Sequence, residues 1–256
     1  MSWDELAELT RLVRELPADR QQSVAQMSQI MVSAHSTLIE GSRVTVAEAF
    51  NFLGGGTPQL SPGKGLISYD MLGDHACALR LASQLADERQ LPTPALIQQL
   101  AAAVMASTAV STNTILGEVN PAQGGFRRDR VFIIGASSFP SAQKIPALVA
   151  RLAADLRQRM PLADALPTQL SLAFEAHQRL VSIHPFNDGN GRTSRLLMNY
   201  VQHYYGQPLT IVFREDKEAY FEALEASRRA DDLEIFFAFM RGQHGKSLRY
   251  QLTQGG

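Results

Sequence analysis

The spacing of apolar residues predicts a chain built mostly of helices. Apolar side chains recur three or four positions apart over residues 170–181, which is the spacing of one buried helix face. The same spacing returns over residues 196–204, before a glycine and a proline supply a stop. Residues 184–195, between these two helices, are therefore predicted to form a helix-loop-helix elbow.

Two further helices are predicted at the N-terminus. Ser2 with Glu5 has the pattern of a capping box at the start of the first helix, and Pro17 ends that helix. Asp19 is the expected cap of the second helix, and Gly41 is its expected C-terminal stop.

Capping and turn patterns continue through the first half of the chain. Thr45 with Glu48 is a second capping-box pattern, and the glycine-rich stretch 54–65 is the clearest loop. Residues 72–86 again show helical spacing, and Thr93 followed by proline is typical of another helix start.

One segment departs from the helical pattern. Gly125 and Arg127 lead into Val131–Gly135, a β-branched and aromatic run bounded by glycine. This run predicts a short strand or hairpin in an otherwise helical chain. A small structural hairpin over the helices is the simplest interpretation from these residues alone.

Composition and charge narrow the class of protein. The 256 residues, 45% of them apolar, suffice for a large core and fit one domain with a helical extension. The net charge of −1 gives no electrostatic reason to expect nucleic acid or an anionic membrane as partner. Cys77 is the only cysteine, which excludes an intramolecular disulfide. The acidic N-terminus and the lack of a long apolar run lead us to expect a cytoplasmic protein.

The elbow, His184–Arg195, concentrates groups that suit a phosphate. Gly189 and Gly191 allow successive backbone N–H groups to converge on an anion where the following helix begins. Arg192 and Arg195 are three positions apart and project from one face of its first turns. Cations at this end oppose the helix dipole, so their placement favours a multiply charged anion such as a polyphosphate.

Two other side chains of the elbow suit chemistry at that phosphate. Asp188 is a hard oxygen ligand of the kind that Mg²⁺ takes together with phosphate oxygens. His184 is the only group in the elbow that could accept a proton near neutral pH. An ordinary turn is the alternative, and the stretch matches neither the calcium-loop pattern nor the Gly-Lys-Ser/Thr phosphate loop. The combination of groups favours a phosphate and metal site.

Read in full, the elbow is His-Pro-Phe-x-Asp-Gly-Asn-Gly-Arg-x-x-Arg. At every fixed position it resembles the HPFx(D/E)GNGRxxR signature of the Fic (filamentation induced by cAMP) domain. The resemblance covers roughly Ser36 to Met240. It implies a mostly α-helical Fic fold, a helical bundle with a short β-hairpin flap over the active-site loop. The flap, at about residues 125–140, would pair its edge with the backbone of a target protein.

A second stretch resembles the same family. Ser36-x-x-x-Glu40-Gly41 resembles the (S/T)xxxE(G/N) inhibitory motif of Fic proteins. The carboxylate falls at a helix C-terminus, where the helix dipole disfavours it unless a cation meets it. Alone the pattern is weak, because it arises by chance in about one chain in five of this length, and a solvated glutamate is the alternative. In context it implies the self-inhibited type with an N-terminal inhibitory helix.

The resemblance also divides the chain. An N-terminal helical region, 1–56, would contain the inhibitory helix at about residues 19–41. The Fic domain, 57–245, would contain the catalytic loop 184–195. Residues 246–256 are expected to be a C-terminal tail.

The resemblance implies a protein adenylyltransferase. Such enzymes transfer AMP from ATP to a Ser, Thr or Tyr hydroxyl of a protein and release pyrophosphate. His184 would be the base that takes the proton of the hydroxyl, and Asp188 would hold Mg²⁺ on the α- and β-phosphates. Asn190, with the backbone around Gly189 and Gly191, would cradle the α-phosphate.

The remaining roles concern the arginines and their inhibitor. Arg192 would bind the β-phosphate and Arg195 the γ-phosphate, while Glu40 would pair with Arg195 and keep ATP out of line. The same glutamate could instead position water to remove AMP, so a deAMPylase or bifunctional enzyme stays open, as does a nucleotide-binding regulator or toxin-like partner protein. The expected partners are ATP and a target protein docked on the flap. Self-AMPylation and homo-oligomerisation stay open as well.

Overall fold

A computed structural model describes residues 1–61, 65–114, 117–129, 131 and 138–255. Over these ranges the chain is mostly α-helical, as the sequence predicts, with one antiparallel pair of short strands. The elements in chain order are α1 (Trp3–Arg14), α2 (Ala18–Ile39), α3 (Val46–Leu53), α4 (Leu66–Asp87), α5 (Pro94–Val104), β1 (Thr112–Thr114), β2 (Gly117–Val119), α6 (Ile145–Arg159), α7 (Leu166–Ile183), α8 (Asn190–Tyr204), α9 (Lys217–Ala230) and α10 (Leu233–Gly255).

The capping patterns of the sequence are present as hydrogen bonds. At the start of α1, the Ser2 hydroxyl accepts from the backbone N–H of Glu5, and the Glu5 carboxylate accepts from the backbone N–H of Ser2. Thr45 and Glu48 form the same reciprocal pair at the start of α3. Thr93 caps α5 through its hydroxyl. These bonds satisfy backbone donors that a helix start otherwise leaves unpaired.

The predicted cap of α2 is wrong. The helix begins at Ala18, and Pro17 takes the N-cap position without a side-chain hydrogen bond. The Pro17 carbonyl already accepts from the backbone N–H of Gln21, so Asp19 lies inside the first turn, where its carboxylate still faces the positive end of the helix. At the other end Gly41 follows α2 with a φ of +97°, as expected of a glycine stop.

The elbow between α7 and α8 is held by the most buried part of the bundle. Helix α8 packs against α7, α4 and α5, and α2 packs against α4. The apolar residues that α7 and α8 bury completely are Leu170, Ala173, Phe174, Ala176, Leu180, Leu196, Leu197, Met198, Tyr200 and Val201. Because burial of apolar surface is the main force that stabilises a fold, the elbow is anchored on both sides by the core.

The strand pair lies outside the segment where the sequence predicts a hairpin. Strands β1 and β2 are antiparallel, with Thr112 opposite Val119 and Thr114 opposite Gly117. Strands of three residues that contain threonine, asparagine and glycine lack the apolar alternation by which a strand is recognised. Of the hairpin predicted at Val131–Gly135, only Val131 is among the described residues.

The C-terminal segment is a correction to the expected tail. Over the residues described, 246–255 continue α10, which packs against α1, α7 and α9. Leu248 and Gln251 are buried, so the helix is part of the core. The boundary expected near residue 56 stays a prediction. In the described ranges, no helix is both long and apolar enough to cross a lipid bilayer.

The last turns of α10 are expected to contribute to stability. Leu248→Ala should lower the free energy of unfolding by about 2–5 kcal/mol, because it removes a fully buried leucine side chain. The control is Leu162→Ala, at a side chain that is 77% exposed, with an expected change within about 0.5 kcal/mol. Denaturant unfolding of both variants measures the difference, and equal changes would contradict the packing of this segment.

Candidate active site

The elbow contains two residues in the left-handed backbone region. His184 follows the last residue of α7 with φ +51° and ψ +59°, and its N–H donates to the Leu180 carbonyl. This conformation is uncommon for a residue with a side chain, and such residues concentrate at functional sites. Gly189, with φ +77°, precedes α8, and a Cβ there would lie 3.0 Å from Met105 Sδ. The chain turns sharply at His184 and again at Gly189.

Asn190 and Phe186 hold the loop between these turns. The Asn190 side-chain oxygen accepts from the Phe186 N–H at 2.9 Å, and its nitrogen donates to the Phe186 carbonyl at 2.7 Å. The Phe186 ring is buried and lies 5.8 Å from the ring of Phe126. The structure therefore places the Asn190 amide on the loop backbone, where it maintains the loop's shape.

The carboxylate of Glu40 lies at the N-terminus of α8. Helix α8 begins at Asn190, and a methyl group on Gly191 would overlap Glu40 Oε1. The glycine therefore leaves the space that the carboxylate occupies. Backbone N–H groups and the helix dipole favour an anion here, so the carboxylate sits where the sequence predicts a phosphate.

Arg195 is the cation that meets this carboxylate. Its Nη2 donates to Glu40 Oε1 at 2.7 Å and to the Ser36 carbonyl at 2.9 Å, and its Nε donates to the Ser36 hydroxyl at 2.9 Å. The Arg195 side chain is 2% exposed and that of Glu40 is 30% exposed. The structure thus brings two of the predicted inhibitory residues, Ser36 of α2 and Glu40 directly after it, together with the second arginine of the elbow.

Arg195 also contacts Tyr220, which is in turn hydrogen-bonded to His177. Arg195 Nη1 donates to the Tyr220 hydroxyl at 3.2 Å, and that hydroxyl lies 2.9 Å from His177 Nε2. Burial holds the pKa of His177 well below its ordinary value, so the ring is neutral, and its Nε2 is hydrogen-bonded to the Tyr220 hydroxyl. Tyr220 lies in α9 and is not among the predicted site residues. Its distance from the motif along the chain leaves no local pattern by which this contact could be found.

Arg192 points to different partners. It is buried, its Nη1 donates to the Val104 carbonyl at 3.3 Å, and its Nη2 donates to Met105 Sδ at 3.0 Å. Nη2 also lies 3.7 Å from Asp188 Oδ1. Burial lowers the pKa of Arg192 although Asp188 opposes this shift. The two arginines therefore do not converge on one atom in this state.

Asp188 suits a metal ion that arrives with a nucleotide. Its side chain is 67% exposed, and its Oδ1 accepts from the N–H of Gly189. The described part of the chain contains no cluster of three or more His, Cys, Asp or Glu that could hold a metal. Mg²⁺ usually binds one or two carboxylates and completes its shell with phosphate oxygens and water, so a single exposed carboxylate fits it.

The His184 imidazole is a buried group with a shifted pKa. Burial, and after it the positive charge of Arg127, lowers the pKa of His184 to about 4. The Phe139 ring centroid lies 4.3 Å from that of the imidazole. At pH 7 the ring is therefore uncharged and can accept a proton. Phe139 and Arg127 thus contact His184, whereas the family resemblance places both residues only within the flap, at about residues 125–140.

The sequence is similar to those of known Fic proteins. The model of the Fic/DOC family matches residues 91–202. A protein adenylyltransferase Fic from Aedes aegypti is 30% identical over 199 residues, which is 77% of this chain and 36% of the relative. A protein adenylyltransferase Fic from Culex quinquefasciatus is 36% identical over 118 residues, 46% of this chain and 23% of the relative. The chain thus spans 23% and 36% of the length of these two relatives.

Solved structures share the fold over nearly the whole chain. A Fic domain containing signaling protein from Bacteroides thetaiotaomicron has a TM-score of 0.82 at 21% identity, covering 98% of this chain and 96% of that one. Fic-1 from C. elegans has a TM-score of 0.78 at 21% identity, covering 97% and 71%. The match of the family model shows that residues 91–202, which include the elbow, form a Fic/DOC family domain, and the solved structures show that the chain shares the fold of Fic proteins.

Proposed function

We propose that this chain is a Mg²⁺-dependent protein adenylyltransferase that transfers AMP from ATP to a Ser, Thr or Tyr hydroxyl of a protein. The observation that carries the proposal is the Glu40 carboxylate, bound by Arg195 at the N-terminus of α8 where Gly191 leaves room for it. A side chain already uses this place as an anion site, and the neutral His184 lies in the same elbow. The similarity to proteins described as adenylyltransferases supports the assignment.

The proposed reaction uses the elbow to position the reactants and to neutralise charge. The imidazole of His184 takes the proton of the target hydroxyl while its oxygen attacks the α-phosphorus of ATP. The bond from that phosphorus to the bridging oxygen breaks, and pyrophosphate leaves. Arg192 and Arg195 would bind the β- and γ-phosphates, and Asn190 would keep the loop amides directed at the α-phosphate. Asp188 would hold Mg²⁺, which neutralises phosphate charge when bound.

The inhibitory role proposed for Glu40 follows from the same contacts. While the carboxylate holds Arg195 Nη2, that donor is not available to a γ-phosphate. Without Glu40, Arg195 would keep its bonds to Ser36 and Tyr220, so the guanidinium would stay in place and gain an open donor. A cytoplasmic location and a target docked on the flap belong to the same proposal.

Removal of Glu40 is expected to activate the protein. After incubation with Mg²⁺-ATP, intact mass spectrometry should show an AMP adduct on Glu40→Gly and none on the wild type. Glu222→Gly is the matched control, because it removes an exposed glutamate of α9 and should behave as the wild type. Equal adducts on wild type and Glu40→Gly would contradict the inhibitory role. No adduct on any variant would leave self-modification unsupported and leave other nucleotides, a missing target protein or removal of AMP from a modified protein as the alternatives to test.

His184 is expected to be the base. In the Glu40→Gly background, His184→Ala should reduce AMP transfer by about 10²–10⁴-fold, because the target hydroxyl loses its proton acceptor. Calorimetry should show that Mg²⁺-ATP still binds. The control His203→Ala removes a partly exposed imidazole that pairs with Asp87 near the other end of α8 and should retain transfer. Transfer retained by His184→Ala would exclude it as the base.

The protonation state of His184 gives a pH prediction. A base works in its neutral form, so this function is present above the pKa of His184 and is lost as pH falls through it. With a pKa of about 4, the ring should stay neutral from about pH 5.5 to 8. The His184 resonance in NMR spectra of the nucleotide-free protein, assigned by its loss in His184→Ala, should not shift over that range. A midpoint near the ordinary histidine value of about 6.5 would contradict the burial of the ring.

A further inference from the structure

One buried arginine joins the two ends of the flap segment to the catalytic loop. Arg127 Nε donates to the His184 carbonyl at 2.7 Å. Its Nη1 donates to the Asp129 carbonyl at 2.6 Å, and its Nη2 donates to the Pro140 carbonyl at 2.6 Å. The backbone N–H of Arg127 donates to the Pro185 carbonyl at 2.8 Å. The guanidinium thus binds the carbonyls of Asp129 and Pro140 in the flap segment and the carbonyl of His184 in the elbow.

These contacts use a property that arginine alone provides. A guanidinium presents five N–H donors in a rigid planar fork, whereas the lysine ammonium is a point charge on a flexible stem. The Arg127 residue is 2% exposed, so its charge is taken out of water and must be met by these carbonyl oxygens. Burial lowers the pKa of Arg127, as expected of a cation taken out of water.

Two of the contacts end on groups that determine the position of the base. The carbonyl bound by Nε belongs to His184, the residue held in the left-handed conformation. The carbonyl bound by Nη2 belongs to Pro140, directly after Phe139, whose ring covers the imidazole at 4.3 Å. Arg127 is therefore hydrogen-bonded both to the backbone of His184 and to the residue that follows Phe139, whose ring lies over the imidazole.

We propose that Arg127 is a positioning residue for His184, and that it aligns the imidazole with the flap on which a target hydroxyl would be presented. The proposal rests on the proposed function, since it assumes that His184 is the base. A displacement of about 1 Å in an active-site group can cost about 10²-fold in rate. The positive charge of Arg127 also adds to the burial that keeps His184 neutral.

The test compares Arg127→Ala and Arg127→Lys with Arg128→Ala, all in the Glu40→Gly background. Arg128 is the adjacent, exposed arginine, so its substitution removes the same charge from the same segment. For Arg127→Ala we expect kcat for AMP transfer to fall about 10²-fold or more, while the Kd for Mg²⁺-ATP changes less than about threefold. The pKa of His184, measured by NMR, should rise, because a nearby cation is lost and water gains access.

Arg127→Lys separates charge from geometry. It keeps the cation but not the fork, so the His184 pKa should stay near that of the parent while kcat falls. Arg128→Ala should leave both quantities unchanged. Folded Arg127→Ala with unchanged kcat and unchanged His184 pKa would overturn the proposal. If Arg127→Ala does not fold, Arg127→Lys decides, and a parental kcat in that variant would overturn it.

The two proposals fail in different ways. If AMP transfer is not the function, Glu40→Gly itself transfers no AMP. The NMR titration of His184 in Arg127→Ala needs no activity, so it still tests whether Arg127 controls the state of this ring. In that case, where no kcat can be measured, an unchanged His184 titration in folded Arg127→Ala would overturn the positioning role.

Discussion

The ion pair between Glu40 and Arg195 is the contact on which the proposed inhibition of the site depends. It joins α2 to α8 across 155 positions of the chain, with the arginine almost fully buried. A buried cation is costly unless hydrogen bonds replace its water, and here the Ser36 hydroxyl, the Ser36 carbonyl and the Tyr220 hydroxyl supply them in addition to the carboxylate. Because three of these four contacts do not involve Glu40, the carboxylate can leave without stranding the charge. These contacts are compatible with the proposed inhibition and its release.

The rest of the fold holds the elbow backbone around this ion pair in one conformation. Helices α7 and α8 are the most deeply packed elements, and the elbow between them turns through the left-handed His184 and Gly189. The Asn190 side chain holds the elbow through two hydrogen bonds to the Phe186 backbone. Arg127 holds it through a hydrogen bond to the His184 carbonyl. A site on such a rigid support keeps its donors aimed at one place, which is how preorganised groups stabilise developing charge.

Local patterns predicted the helices and the elbow, because caps, glycine stops and apolar periodicity act within a few residues. These patterns failed at the start of α2, where Pro17 takes the N-cap position predicted for Asp19. They also failed at β1 and β2, because strands of three residues are too short to show an alternation of apolar and polar side chains. The pairing of Glu40 with Arg195 was expected from family resemblance and not from spacing. The contacts of Tyr220 and Arg127 could not be predicted, since each joins segments that only the folded chain brings together.

The central claim is that the place held by the Glu40 carboxylate at the N-terminus of α8 is a phosphate position. A crystal structure of Glu40→Gly with Mg²⁺ and a non-hydrolysable ATP analogue tests it most directly. We expect a phosphate oxygen within hydrogen-bond distance of Arg195 Nη2, beside Gly191, with Ser36 and Tyr220 still bound to the guanidinium. Phosphates bound elsewhere, with the Nη2 donor left to water, would contradict it.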